Sequence, residues 1–467
     1  MLKKAHFIGI GGVGMSATAK LLRESGVEVT GSDEAVYPPI SDFLKRERLP
    51  YKTPYAASNV PADADLIIIG KNAKLVPESN SEVAEVIHSG KKISSFPEVL
   101  ADLSKDKKTV VVAGSYGKSS SAALLSHCLE TAGLDPSYFI GAIPKSPASS
   151  AHLGSGELFV LEGDEYPSSN TDPRSKFLHF RPAHLLITPL AHDHFNVFPT
   201  PEDYIKPFRE LLALTAGTAV VCAEGPLSGE LLSGAQRPVI TYGLTSGEYQ
   251  AGNISWGEKT SFDILRNGSV VVRVETGELG EHSVQNIVGI AALLFSCNIL
   301  TPEQLRVAVA SFKGVVRRLD KKSEKTSVPV FEGFGSSYEK AKSAIAAMKR
   351  HFPSRRLLVV FEPYTFAWRN RDAISWYDDV FDGAGKVYIL EPAGHGKTNE
   401  KEAAMGEILE RIQSSKIAAM ADVDPQRLLF AIQDDLEQND AVLMLSSGPL
   451  GGLVESLPLI AEQKFPL

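Results

Sequence analysis

Only three of the 467 residues are cysteine, Cys128, Cys222 and Cys297, and no two stand at a spacing that would hold a metal. A disulfide framework and a cysteine zinc centre are excluded; each thiol sits in an apolar run, as expected of reduced core residues in a reducing compartment. No apolar run approaches the length of a membrane span. Basic residues are not in excess, with 48 Lys and Arg against 56 Asp and Glu, a net charge of −8 and a pI near 5.8. General nucleic-acid binding is therefore not expected, although a local basic pocket for an anionic substrate is compatible with this balance. Short-period repeats and low-complexity tracts are lacking too, so neither a solenoid nor a disordered chain is predicted. The start, MLKKAHFIGIGGVGMSATAKLL, is basic and then apolar like a signal peptide, but its four glycines and helical continuation fit a first strand and its turn. A cytoplasmic protein with neither a nucleic-acid nor a membrane partner is the expectation.

What is present is an ordinary globular composition, 43% apolar and 22% charged. The length exceeds one core and predicts two to four domains. The most informative stretch is TVVVAGSYGKSSSA, Thr109 to Ala122. A β-branched run leads into Gly114-Ser115-Tyr116-Gly117-Lys118-Ser119-Ser120, and a helical segment, Ala122 to Thr131, follows. Glycines let the backbone close around a phosphate chain, helix amides point at it, and Lys118 adds a positive charge. Ser119 would offer its hydroxyl to Mg²⁺. The loop is two residues shorter than the general P-loop pattern.

Before it, Gly9-Ile10-Gly11-Gly12-Val13-Gly14 has the G-x-G-x-x-G spacing after a strand, His6 to Ile8, and before a helix, Ser16 to Ser25. Asp33 follows about twenty residues on, where a ribose hydroxyl would be held. The pattern alone does not separate ligand binding from a tight turn. Another buried parallel strand is expected at Asp65 to Gly70.

After it, strands are predicted at Leu158–Leu161, Leu185–Thr188, Ala219–Cys222 and Val239–Tyr242. The first ends in Glu162-Gly163-Asp164-Glu165, and the second runs on to His192-Asp193-His194. Strand ends are where ligands bind in an open parallel sheet, so these groups should converge beside the phosphate loop. Three carboxylates at one strand end repel unless a cation sits there, which favours Mg²⁺ held by Glu162 and His194 with Ser119. His192 is read as a plain loop histidine. Farther on, Arg317 to Lys322 reads as a solvated linker. Strands at Val328–Phe331, Leu357–Phe361, Lys386–Leu390 and Ala441–Leu445 alternate with helices such as Tyr338–Lys349. Gly394-His395-Gly396-Lys397 is read as a surface loop, and Ser446 to Gly452 as a loop of small residues allowing close approach.

Three α/β units, the middle one with G-x-x-G-K-S, then E-G-D-E and D-H, resemble the Mur ligase family of peptidoglycan synthesis over essentially the whole chain. Gly9 to Ser16 looks like the branch that joins UDP-N-acetylmuramate to L-alanine. Longer stretches look like the recycling branch, which joins it to L-alanyl-γ-D-glutamyl-meso-diaminopimelate: GSDEAVYPPIS from Gly31, LIIIGKNA from Leu66, FEP from Phe361, LMLSSGPLGGL from Leu443 and, most telling, D-x-R-S-K-F from Asp172 to Phe177.

The resemblance implies a three-domain α/β fold: a Rossmann-like UDP-sugar domain over 1–103, a central P-loop ATPase-like domain over 104–316 and a Rossmann-like ligase domain over 317–467. It implies Gly11, Gly14 and Asp33 at the UDP-sugar, Asn286 and Arg318 with the Gly114–Ser120 loop at ATP, and Lys118, Glu162 and His194 in catalysis. Ser119, Glu162 and His194 would hold Mg²⁺. The implied reaction is attack of the sugar's carboxylate on ATP, giving an acyl phosphate that the amine of an amino acid or short peptide displaces.

Departures are specific. The family's G-T-H-G-K-T-T has Tyr116 for its histidine. Its N-x-E-x-D-H-x-D is Pro189 to Asn196, without the asparagine and glutamate, and its D-D-[FY]-A-H-H-P-T is Glu332 to Glu339, without a carboxylate and both histidines. An arginine that would follow Glu362-Pro363 is Tyr364. Phosphate binding thus looks intact while the ATP-ribose and amine sides look altered. A working ligase, or a diverged relative binding nucleotide without ligating, are the two expectations; an NAD-dependent oxidoreductase would explain nothing after residue 103.

Overall fold

The computed structural model describes residues 2–392 and 401–467, so Gly394–Lys397 lies outside the described residues. Three sheets follow one another along the chain. The first, in the order β3-β2-β1-β4-β5, comprises β1 (Lys4–Ile8), β2 (Glu28–Ser32), β3 (Tyr51–Lys52), β4 (Leu66–Ile69) and β5 (Ile93–Ser94). All its pairings are parallel. The chain leaves β1 through Gly9–Gly12 and enters the helix Val13–Glu24, with β2 on one side and β4 on the other. That reversal of strand order opens a crevice above the glycines.

The second sheet has ten strands in the order β15-β14-β13-β12-β11-β10-β6-β9-β7-β8. They are β6 (Lys108–Ala113), β7 (Ser137–Phe139), β8 (Ala151–His152), β9 (Leu158–Glu162), β10 (His184–Ile187), β11 (Ala219–Cys222), β12 (Ile240–Tyr242), β13 (Tyr249–Ser255), β14 (Thr260–Arg266) and β15 (Ser269–Thr276). β6 lies between β9 and β10, in parallel register with both. Its residues Thr109 to Ala113 are all buried, as its unbroken apolar run requires. The helix Val13–Glu24 joins this second core: Ala17 and Leu21, fully buried, pack in one cluster with Phe139, Ala151 and Phe159.

The third sheet, β16-β17-β21-β18-β19-β20, contains β16 (Arg318–Lys321), β17 (Val330–Gly333), β18 (Arg356–Phe361), β19 (Lys386–Leu390), β20 (Ala418–Asp422) and β21 (Asp440–Leu445). By compactness the chain divides into two units, one of Met1–Ile254, Phe262–Thr276 and Ser283–Lys313, the other of Ser255–Ser261, Gly277–His282 and Gly314–Leu467.

Two readings need correction, and three strands went unread. The charge run at Arg317–Lys322 is no solvated linker; it forms β16, antiparallel to β17, with Asp320 buried against Lys322. β13–β15 escaped notice because their alternation leaves side chains such as Val270 exposed, unlike the apolar runs of the parallel strands. Cys297 is only partly buried, its Sγ 3.3 Å from His184 Nδ1.

The first sheet is pinned by a buried carboxylate. Glu82, on the helix Ser81–His88, accepts from the Ser32 hydroxyl, from Asn59 Nδ2 at 2.6 Å and from the Ala56 amide at 2.9 Å, with His6 Nε2 at 3.9 Å. Burial pushes its pKa up, but His6, Ser32, Ala56 and Asn59 outweigh burial and hold it below the ordinary 4.5. Its stabilisation is therefore complete above about pH 4.5 and is lost as pH falls through the lowered folded value. Glu82→Ala strands three donors and should cost about 3 kcal/mol of stability at neutral pH. Urea melts across pH check this, with the gap to the wild type closing in acid.

Candidate functional site

The loop after β6 is shaped by two glycines. Gly114 has φ +136, and a Cβ there would lie 2.1 Å from Thr188 Oγ1, so the loop passes the end of β10 at backbone contact. Gly117 has φ +88 and caps the helix Lys118–Thr131 in the left-handed region, with no side chain bonded to the helix's first amides. Those amides face outward at the positive end of a 14-residue helix. Buried Asn286 stands against this turn, since a Cβ on Gly117 would meet its Oδ1 at 2.5 Å.

Ser115 is committed inward. Its N–H donates to Pro189 O at 3.1 Å, and its hydroxyl bridges Ala191 O at 2.8 Å and Tyr204 OH at 2.8 Å while accepting from Ala191 N. These bonds shape the loop. Tyr116 is exposed at the tip, whereas Ser119 is buried and donates to Glu162 Oε1 at 2.8 Å. Ser120 is the third residue of the helix, partly buried.

The acidic cluster is neutralised differently from the expectation. Lys118 Nζ pairs with Glu165 Oε2 at 2.9 Å and donates to Gly114 O. Burial works against this ammonium, yet Glu165, Asp164 and Glu162 outweigh it and raise the Lys118 pKa. Lys176 pairs with Asp164, and that carboxyl stays below its usual range because Lys176 and Lys118 overcome burial. Two lysines thus supply charge that the repulsion argument gave to a metal. His194 Nε2 lies 3.2 Å from Glu165 Oε1, so the structure groups it with Lys118 and Glu165, while Ser119 and Glu162 form a separate pair. Glu162 also accepts from Gly141 N at 2.6 Å. Among the described residues no group of three or more His, Cys, Asp or Glu is arranged to hold a metal. A hydroxyl and a carboxylate oxygen at 2.8 Å still suit Mg²⁺, which keeps waters and phosphate oxygens as its other ligands. His192, packed at 4.5 Å on the Phe195 ring, donates from Nε2 to Phe198 O at 2.7 Å and stays a loop residue.

In the first sheet Asp33 turns back onto the glycine loop. Its Oδ2 accepts from Gly11 N at 2.7 Å and its Oδ1 from Tyr55 OH at 3.1 Å. It braces the loop where a more distant ribose contact was expected. Gly14 is small for packing, because a Cβ there would sit 3.1 Å from the Phe96 ring.

In the second unit Arg318 opens β16, and burial together with the Arg318 charge lowers the His282 pKa to about 4. The neighbouring Arg317, not singled out from sequence, is the built-in arginine: it donates to Ser446 O at 2.8 Å and Gly448 O at 2.9 Å and pairs with buried Glu332 at 3.1 Å. A cleft of about 530 Å³ is lined by Glu362, Tyr364, Arg369, Glu391 and Pro449, among others, at the carboxyl ends of β18, β19 and β21.

Two family models match: the Mur ligase family catalytic domain over residues 4–108 and the Mur ligase middle domain over residues 112–294. The chain belongs to the Mur ligase family. It is 28% identical to the UDP-N-acetylmuramate–L-alanine ligase of Hydrogenobaculum sp. over 96% of this chain and 97% of the relative. It is also 28% identical to the UDP-N-acetylmuramate–L-alanyl-γ-D-glutamyl-meso-2,6-diaminoheptandioate ligase of Escherichia coli, over 97% of each. The crystal structure of UDP-N-acetylmuramate-alanine ligase MurC from Thermotoga maritima superposes with a TM-score of 0.80 over 99% of this chain and 100% of that one, at 22% identity. Mur ligases are ADP-forming amide ligases of peptidoglycan synthesis, and the mixed α/β architecture with three sheets is the fold of that family. No helix among the described residues is long and apolar enough to cross a membrane.

For a Mur ligase, the residues that sequence reasoning passed over are Glu165 and Lys176. No local signal marked these pairs, because Asp164 and Glu165 each meet a lysine on another segment. The loop geometry gives a direct test. Gly117→Ala forces a left-handed φ on a side chain and drives its Cβ into Asn286, a strain of about 1–3 kcal/mol. The variant should stay folded in a thermal melt and bind a magnesium nucleoside triphosphate more than about tenfold more weakly by fluorescence titration.

Proposed function

We propose that this Mur ligase joins UDP-N-acetylmuramate to L-alanyl-γ-D-glutamyl-meso-diaminopimelate with consumption of ATP, as a cytoplasmic recycling enzyme. The observation that carries the reading is the phosphate loop with Lys118 and Ser119 poised against Glu165 and Glu162. A protein that only bound a nucleotide sugar would not need a lysine, a hydroxyl and two carboxylates assembled at one helix N-terminus. The D-x-R-S-K-F segment, Asp172 to Phe177, favours the tripeptide branch over the L-alanine branch.

In this reading the amides at the start of the helix Lys118–Thr131 cradle the phosphate chain, and Lys118 exchanges Glu165 for phosphate oxygens as charge develops on them. Ser119 and Glu162 would hold a magnesium ion, which would supply further positive charge beside the transferring group. His194, fixed by Glu165, lies at the edge of this space. Asn286 keeps the Gly117 turn closed. The loop after β1, with Gly11 braced by Asp33 and Gly14 against Phe96, takes the UDP end of the sugar. The cleft beside Tyr364 and Arg369, about 530 Å³, is of a size to hold part of a short peptide.

Phosphate release with MgATP and UDP-N-acetylmuramate tests the reading, adding the tripeptide, L-alanine or no amine. Release that depends on the tripeptide, with a product of the matching mass, is expected. Lys118→Ala should lower kcat by about a hundredfold or more. Turnover with L-alanine alone would move the chain to the other branch, and nucleotide binding without turnover would make it a diverged binding protein.

A further inference from the structure

Where the loop after β4 meets the segment after β9, Lys71, which the phosphate site does not use, lies near the same ring as Lys176. Lys71 Nζ stands 5.6 Å from the Tyr166 ring centroid and Lys176 Nζ 5.8 Å from the same centroid. Lys176 is paired with Asp164. Lys71 makes no hydrogen bond or ion pair among the described residues. Lys71 is exposed, and desolvation together with the Lys176 charge lowers its pKa against the pull of Asp164. An exposed ammonium beside a second one offers an anion a place to bind. The two segments are tied together by Asn170, whose Nδ2 donates to Asn72 O at 2.9 Å and to Leu75 O at 3.0 Å. Lys71 is therefore held beside Lys176 by a bond that neither lysine makes.

The position of the pair is as informative as its charge. Tyr166 lies near both lysines and packs against the His194 ring, at 4.4 Å between centroids. His194 meets Glu165, and Glu165 meets Lys118. Two rings and one carboxylate thus lie between the lysines and Lys118. We propose that Lys71, with Lys176, grips the carboxylate of the muramyl sugar and so positions it toward the phosphate loop. Resting on the UDP-sugar reading above, it assigns that substrate's carboxylate to a site formed by the end of β4 and the D-x-R-S-K-F segment. Tyr166 walls the site and turns the carboxylate toward His194.

The test uses the full chain and two ligands differing by the carboxylate-bearing group, UDP-N-acetylmuramate and UDP-N-acetylglucosamine, titrated calorimetrically into the wild type, Lys71→Gln and Lys71→Arg. Lys71→Gln should weaken the muramyl sugar about tenfold and leave the glucosamine sugar unchanged, with Lys71→Arg close to the wild type. In steady state the KM for the muramyl sugar should rise while the KM for ATP stays the same. Equal weakening of both sugars, or no change in either, overturns the proposal while leaving the UDP-sugar reading in place. A wild type that binds neither sugar overturns that reading and the proposal with it.

Discussion

A single buried carboxylate organises the phosphate site. Glu165 is 1% exposed and receives Lys118 from the phosphate loop, His194 from the segment after β10, and the Tyr204 hydroxyl from the helix Pro201–Leu214. Three separate stretches of chain meet on its two oxygens. An unpaired carboxylate at that depth would be costly, so the arrangement holds only while the lysine stays charged. An incoming polyphosphate competes for the lysine. Ligand binding and the integrity of the site are thus drawn on the same ion pair.

Around this pair the backbone is as restrictive as the charges. Gly114 passes so close to Thr188 that the loop after β6 cannot be placed without the end of β10. Ser115 then ties the loop to Ala191 and Tyr204. The crevice that a parallel sheet leaves at its switch point is in this way given a definite floor.

The sequence made the parallel strands legible because they are apolar runs between turn signals, and β19, Lys386–Leu390, falls where expected. The phosphate loop was legible for the same local reason: a strand, two glycines, a lysine and a helix occupy consecutive positions. Partnerships across segments were not. Nothing near Glu165 announces Lys118, 47 residues away, and nothing near Asp33 announces that it would reach back to Gly11. Arg317 and Arg318 are adjacent with the same charge, and only pairing of β16 with β17 decides which one meets Glu332. The strands β13–β15 mix polar and apolar residues, and the run Val270 to Val272 sits at the partly exposed start of β15.

Ala17 and Leu21 of the helix Val13–Glu24 lie in the core of the second sheet, although that helix begins at the glycine loop of the first. Burying a leucine this way is worth about 2 kcal/mol, and the first sheet cannot swing away without giving it up. The loops after β1 and β6 are consequently held at a set spacing, like the two jaws of a caliper. A molecule gripped at its far end by the first loop is then gauged by its length: too short, and its reactive end stops before Lys118; too long, and it overshoots.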